Sequence, residues 1–240
     1  MGFVLPDERP VPAVTAPQMR EIDRAMIEDF HIELLQMMEN AGRNLADLAG
    51  ALYSPRTIVV LAGPGGNGGG GLVAARHLRN RGADVSVVLG AAGLAPVPAR
   101  QLDIIQRMGV PVLDQPVAAD LVIDALLGYS LRGDPAPRFA ELITWANGQP
   151  APVLALDTPS GLDVTTGRPS TPYVGAGATM TLALPKTGLA GSAVTGRLYL
   201  ADISVPLLLL ERMGLAAPGM FRDGPVIELQ TRPGPQNAVM

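Results

Sequence analysis

From Thr57 onward the chain alternates short, uniformly apolar runs with amphipathic stretches. TIVVLAG (57–63) precedes a helical pattern over 72–80, DVSVVLG (84–90) precedes one over 100–108, and DLVIDALLG (120–128) precedes one over 139–146, followed by PVLALDTPSG (152–161). Strands without a polar face are strands covered on both sides, as in a parallel sheet. Such strands alternating with helices predict an α/β fold in three layers, an α/β/α sandwich around a mostly parallel sheet. ATMTLAL (178–184) and RLYLADI (197–203) extend that sheet.

The first fifty residues read as helical. Thr15 followed by Gln18 forms a capping box with Pro17 in the first turn, and Met19, Ile22 and Met26 then share one face. A second helix over 33–52 carries Leu34, Leu35, Met38 and Leu45, with its methionines read as core filler. The segment after Pro218 reads as a looser tail. No linker, repeat or composition shift divides residues 1–240, which read as one domain.

Composition changes the picture in one respect. The 240 residues include 28 glycines and 23 prolines, yet 48% are hydrophobic and only 17% charged, so the chain is not disordered and its glycine belongs to the loops of a folded core. A formal net charge of −4 gives no global attraction to nucleic acid or to an anionic membrane. The absence of cysteine removes disulfides and thiolate chemistry, and His31 and His77 are too few and too far apart for zinc. The opening residues lack a signal-peptide pattern, and Pro206 interrupts the late ISVPLLLL run. The expected setting is the cytoplasm.

Ligands of open α/β sheets bind beyond the carboxyl ends of the strands, and three such ends here are chemically unusual. The first is Gly63-Pro64-Gly65-Gly66-Asn67-Gly68-Gly69-Gly70-Gly71, between a strand and a helix. Its backbone can turn freely and present N–H groups as a phosphate cradle; the alternative is a flexible turn without a ligand. Gly63, Gly65 and Gly68 satisfy a dinucleotide fingerprint, but Asp84 begins the next strand where a ribose-binding acid should end it, and no Lys-Ser/Thr pair follows. This disfavours an NAD-dependent oxidoreductase and a P-loop. The other two ends carry Asp124 and Asp157. Each acid either caps its loop or joins a site, because a buried carboxylate needs partners. A cation held here would be a hard one, with Asn67, Asp124 and Ser160 as oxygen donors. Arg132 and Lys186 could each neutralise a phosphate or be a solvated surface cation, the latter reading being favoured for Lys186, and His77 reads as a helix-face residue.

MENAGR (38–43), LAGPGGNGGGGLVAARHL (61–78), DLVIDALLGYSLRGD (120–134), LALDTPSGLDVTTG (154–167) and LPKTGL (184–189), in this order, resemble the NAD(P)H-hydrate epimerases, the YjeF N-terminal domain family. The resemblance spans roughly residues 15–206 and points to the stand-alone form, without the dehydratase domain fused in many bacterial members. It implies a Rossmann-like fold and epimerisation of hydrated NADH or NADPH. Substrate contacts would come from Gly66, Asn67, Gly68, Gly69 and Gly70, from Gly128, Tyr129, Ser130, Leu131, Arg132, Gly133 and Asp134, and from Asp157, which would also exchange the catalytic proton. A potassium ion would rest on Asn67, Asp124 and Ser160. A homodimer through the N-terminal helices and a separate dehydratase are the expected partners. Two positions depart from the family's GPGNNGGDG: Gly66 stands for an Asn and Gly70 for an Asp. These departures keep open a non-catalytic dinucleotide-binding scaffold or sensor.

Overall fold

A computed structural model describes residues 2–131 and 133–232. The chain forms β1 (Gly2–Val4), β2 (Pro10–Val11), α1 (Ala16–Glu28), α2 (Leu34–Tyr53), β3 (Thr57–Ala62), α3 (Gly66–Asn80), β4 (Asp84–Leu89), α4 (Pro96–Arg107) and β5 (Val112–Leu113). It continues with β6 (Leu121–Ala125), α5 (Pro137–Asn147), β7 (Val153–Leu156), β8 (Ala178–Leu182), a 3₁₀ turn (Thr187–Leu189), β9 (Arg197–Ala201), α6 (Leu207–Arg212) and β10 (Val226–Arg232).

The ten strands make one sheet in the order β2-β1-β10-β9-β8-β7-β6-β3-β4-β5. From β9 to β5 every neighbouring pair is parallel, as the uniformly apolar runs require. The period-two alternation sends Ile58, Val60, Leu121, Ile123, Leu154 and Leu156 to one face, packed against Leu45 of α2, Leu72 of α3 and Ile105 of α4. Val59, Leu61, Val122 and Ala155 face the other way, onto Leu142 and Ile143 of α5. The three layers predicted from the pattern are therefore present. Met19, Ile22 and Met26 of α1 build a further cluster with Leu198, Leu200 and Leu229 of the antiparallel edge. Helix α1 starts as expected, with Thr15 and Gln18 closing the capping box.

Two expectations fail. Residues 219–232 are not a loose tail, because β10 pairs antiparallel with β9 and β1, bringing Gln230 against Val4 and Leu229 against Leu198. The first fifty residues are not all helical, because β1 and β2 complete that edge. Among the described residues no helix is long and apolar enough to cross a membrane.

Candidate active site

The strand order places β4 and β5 on one side of β3 and β6 on the other, so the carboxyl ends of β3 and β6 flank a crevice. A cavity of about 520 Å³ opens there. Its walls come from α1 (Met19, Asp23), α2 (Met37, Met38), the start of α3 (Gly66, Asn67, Gly70), the loop after β6 (Leu127 to Ser130), Asp157 beyond β7 and Lys186 beyond β8. The methionines are thus buried, as expected, and also line the cavity.

The glycine run is mostly helix. α3 begins at Gly66, and no glycine from Gly63 to Gly71 has a positive φ. These glycines serve close approach instead. A Cβ on Gly63 would lie 1.8 Å from the Leu126 carbonyl oxygen, one on Gly68 1.8 Å from the Gly63 carbonyl oxygen, and one on Gly71 2.6 Å from the Ala125 Cβ. Helix α3 can therefore seat its first turns directly on the sheet. Gly68 and Gly69 pack behind the cavity rather than in its wall. At the departing positions the room differs: a Cβ on Gly66 meets nothing within 4 Å, whereas one on Gly70 comes within 2.8 Å of Leu156 Cδ2. No side chain caps α3, so its first amides and its dipole favour an anionic group at this end of the cavity.

Asp157 adopts φ +66°, which turns the chain sharply at the end of β7, and its N–H donates to the Met180 carbonyl at 2.7 Å. Its Oδ1 accepts from Lys186 Nζ, from Thr181 Oγ1 at 3.4 Å and from the Leu182 N–H at 3.4 Å; its Oδ2 accepts from the Tyr129 N–H at 3.3 Å. Lys186 is not a surface cation. Its side chain is 1% exposed, and its ammonium also donates to the Leu182 carbonyl at 2.9 Å and to Thr181 Oγ1 at 3.2 Å. The segment before α1 fixes it, with the Val14 N–H donating to the Pro185 carbonyl at 2.9 Å and the Thr187 N–H to the Val14 carbonyl at 3.0 Å. The signal for Lys186 was its place just beyond a parallel strand's carboxyl end.

Tyr129 bridges to α1, where its hydroxyl donates to Asp23 Oδ2 at 2.6 Å, and Lys186 Nζ lies 5.9 Å from its ring centroid. Burial, with the Asp23 charge and hydrogen bond, pushes the Tyr129 hydroxyl pKa up. Burial also raises Asp23, against the opposing pull of the Tyr129 hydrogen bond and Lys186. Sequence reasoning missed Asp23; the available signal was its spacing of four from Met19 and three from Met26, which puts it on the inward face of α1.

Asp124 lies under the loop after β6 and is wholly buried. Its Oδ1 accepts from Ser160 Oγ at 2.6 Å and the Leu126 N–H at 3.2 Å, and its Oδ2 accepts from the Ser160 N–H at 2.7 Å. Burial pushes its carboxyl up to about 6 despite these three bonds. Asn67, at the first turn of α3, has both amide heteroatoms buried without a hydrogen-bond partner. In the loop after β6, a Cβ on Gly128 would stand 3.5 Å from Asn67 Cβ and 3.5 Å from Asp157 Oδ2. Among the described residues no three histidine or acidic side chains converge as a metal site. A cation here would rest on one carboxylate and neutral oxygens, a donor set that suits a hard ion of low charge. The unpaired Asn67 amide fits that role.

The remaining positions named from sequence separate from this group. Ser130 lines the cavity, whereas half-buried Leu131 and the exposed Gly133 and Asp134 do not, and Asp134 instead accepts from the Thr171 N–H at 3.2 Å. Arg132 lies outside the described residues. His77 contacts Glu39 at 2.8 Å and ties α3 to α2.

Fold and site together define a Rossmann-like α/β protein whose mostly apolar cavity, with a few polar side chains in its wall, lies at the switch point of its parallel sheet. The chain belongs to the family described as YjeF-related protein N-terminus, whose sequence model matches residues 34–188. It is 45% identical over 224 residues to the NAD(P)H-hydrate epimerase of Dehalogenimonas lykanthroporepellens, covering 90% of this chain and 91% of that one. It is 34% identical to the NAD(P)H-hydrate epimerase of Rhodopirellula baltica, covering 85% and 89% respectively. The bifunctional NAD(P)H-hydrate repair enzyme Nnr of Hyperthermus butylicus is 42% identical over 208 residues, which make up 81% of this chain but 38% of that enzyme. The crystal structure of yeast ynu0 superposes with a TM-score of 0.81 at 23% identity, over 91% of this chain and 100% of the other, and shows the same fold.

Proposed function

We propose that this protein is an NAD(P)H-hydrate epimerase, an isomerase that interconverts the R and S forms of hydrated NADH or NADPH. The observation that carries the assignment is the buried Asp157–Lys186 pair opening into a cavity beside the free amides of α3. The hydrated ring carbon bears a hydroxyl next to the ring nitrogen. Its C–O bond breaks as the hydroxyl takes a proton and leaves as water, while the nitrogen lone pair forms an iminium bond. Water then returns to the other face and gives up a proton. Asp157 exchanges the proton, and its carboxylate stabilises the iminium charge. Proton transfer of this kind contributes about 10²–10⁴-fold. The α3 amides hold the phosphates, and the apolar wall of Met19, Met37 and Met38 excludes bulk water from the ring.

Among the described residues the buried Asp124 carboxylate has no cationic side chain as a partner, which, with the unpaired Asn67 amide, supports a potassium site on Asn67, Asp124 and Ser160. A potassium ion bound there would supply positive charge beside the phosphates and hold the loop after β6. We further read the protein as cytoplasmic, working with a separate dehydratase, and as a homodimer; exposed Ile27 and Leu34 on the N-terminal helices support the last reading.

The test is direct. Incubation with the R form of hydrated NADPH is expected to produce the S form. Asp157→Asn, which keeps an acceptor for Lys186, is expected to lower turnover by about 10²-fold or more. Turnover near that of the unaltered protein would remove Asp157 from the chemistry.

A further inference from the structure

Inverting a carbon by loss and return of water needs a proton donor on the face that water leaves and a proton acceptor on the face to which it returns. Asp157 is fixed at the end of β7 by four hydrogen bonds and can serve one face. The cavity contains a second proton-handling pair. Tyr129 reaches from the neighbourhood of Asp157, which its N–H contacts at 3.3 Å, across to α1, where its hydroxyl meets Asp23 at 2.6 Å. Its ring lies alongside the Lys186 ammonium, 5.9 Å from the ring centroid. Tyr129 and Asp23 both line the cavity. Among the described residues, the charged side chains that line it are Asp23, Asp157 and Lys186, so carboxylates stand on both sides of the Lys186 ammonium's neighbourhood.

Building on the epimerase assignment, we propose that Tyr129 is the acid–base residue for the ring face that Asp157 does not serve, with Asp23 as the positioning residue that takes up its proton. As water adds to the iminium carbon, the new C–O bond forms and the π pair returns to the ring nitrogen. The water proton passes to the phenol oxygen while the phenol proton passes to the Asp23 carboxylate. In the opposite direction the same proton returns through Tyr129 to the departing hydroxyl. Asp23 is only half-buried, so solvent restores its protonation state between turnovers.

The test follows epimerisation in ¹⁸O-labelled water. The unaltered protein is expected to introduce label and invert the carbon together. Tyr129→Phe is expected to lower kcat for inversion by about 10²-fold with KM little changed, while label still enters the starting epimer from the Asp157 face. Asp23→Asn is expected to behave alike, with partial recovery in Asp23→Glu. Equal loss of exchange and inversion in both variants, or an effect confined to KM and the melting temperature, would assign Tyr129–Asp23 to structure alone and overturn the proposal. If Tyr129→Phe does not fold, Asp23→Asn decides by the same two readouts. Failure of the unaltered protein to epimerise at all would instead remove the assignment on which the proposal rests.

Discussion

The carboxyl ends of β6 and β7 start from the same local sequence, an apolar run closed by an aspartate, and reach opposite solutions. Asp124 is wholly buried and, among the described residues, meets neutral donors, two from Ser160 and one from Leu126, so burial raises its carboxyl to about 6. Asp157 is almost as buried but has a full ammonium partner in Lys186, and its positive φ turns it into the cavity. The lesson is that a buried acid is defined by what the rest of the sheet brings to it. Ser160 arrives from the loop after β7, and Lys186 from the loop after β8.

If that distinction is correct, the largest effect comes from removing the ammonium. Lys186→Met preserves the apolar stem and leaves Asp157 without its charge partner, which is expected to cost about 3–5 kcal/mol in chemical denaturation and to abolish epimerisation. Ser160→Ala removes one neutral hydrogen bond to Asp124 and the acceptor of the Leu127 N–H at 3.0 Å, and is expected to cost about 1–3 kcal/mol. Equal losses in the two variants would erase the difference between a charge-paired acid and a hydrogen-bonded one.

Much of this was legible in the sequence, for physical reasons. Strands buried on both faces have no polar phase, so the six long parallel strands and their order of appearance stand out, as do Asp124 and Asp157 at two of their ends. The glycine run was placed at the right crevice with the wrong conformation. Glycine is a poor helix former, and only the approach of Gly68 to the Gly63 carbonyl and of Gly71 to Ala125 shows why α3 nevertheless starts there. Lys186 stands out as a candidate, but the solvated reading is favoured because a loop lysine is ordinarily exposed. Its burial depends on Val14, which is 172 residues earlier in the chain and pairs with it as a parallel bridge. β10 was missed for a similar reason: its pairing of Phe3 with Thr231 joins the two ends of the described chain. Asp23 is one acid on an otherwise apolar helix face, and its partner Tyr129 lies 106 residues away.

The smallest expected effect tests whether the two strand ends are separate. Gly128 follows the β6 end and faces Asp157 at the β7 end, and a methyl there would make ordinary van der Waals contact with Asn67 Cβ and with Asp157 Oδ2, both at 3.5 Å. Its φ is not among the positive values, so alanine needs no backbone change. Gly128→Ala is therefore expected to leave stability unchanged or to raise it by up to about 1 kcal/mol through the less flexible unfolded chain. The methyl also enters the cavity beside Asp157, so KM for the hydrated nucleotide should rise while the folded structure persists. A thermal melt and a KM measurement on the same preparation separate the outcomes. A melting temperature as low as that of Ser160→Ala would mean that the Asn67 and Asp157 walls cannot yield independently, and that they belong to one rigid unit rather than to two walls of a yielding cavity.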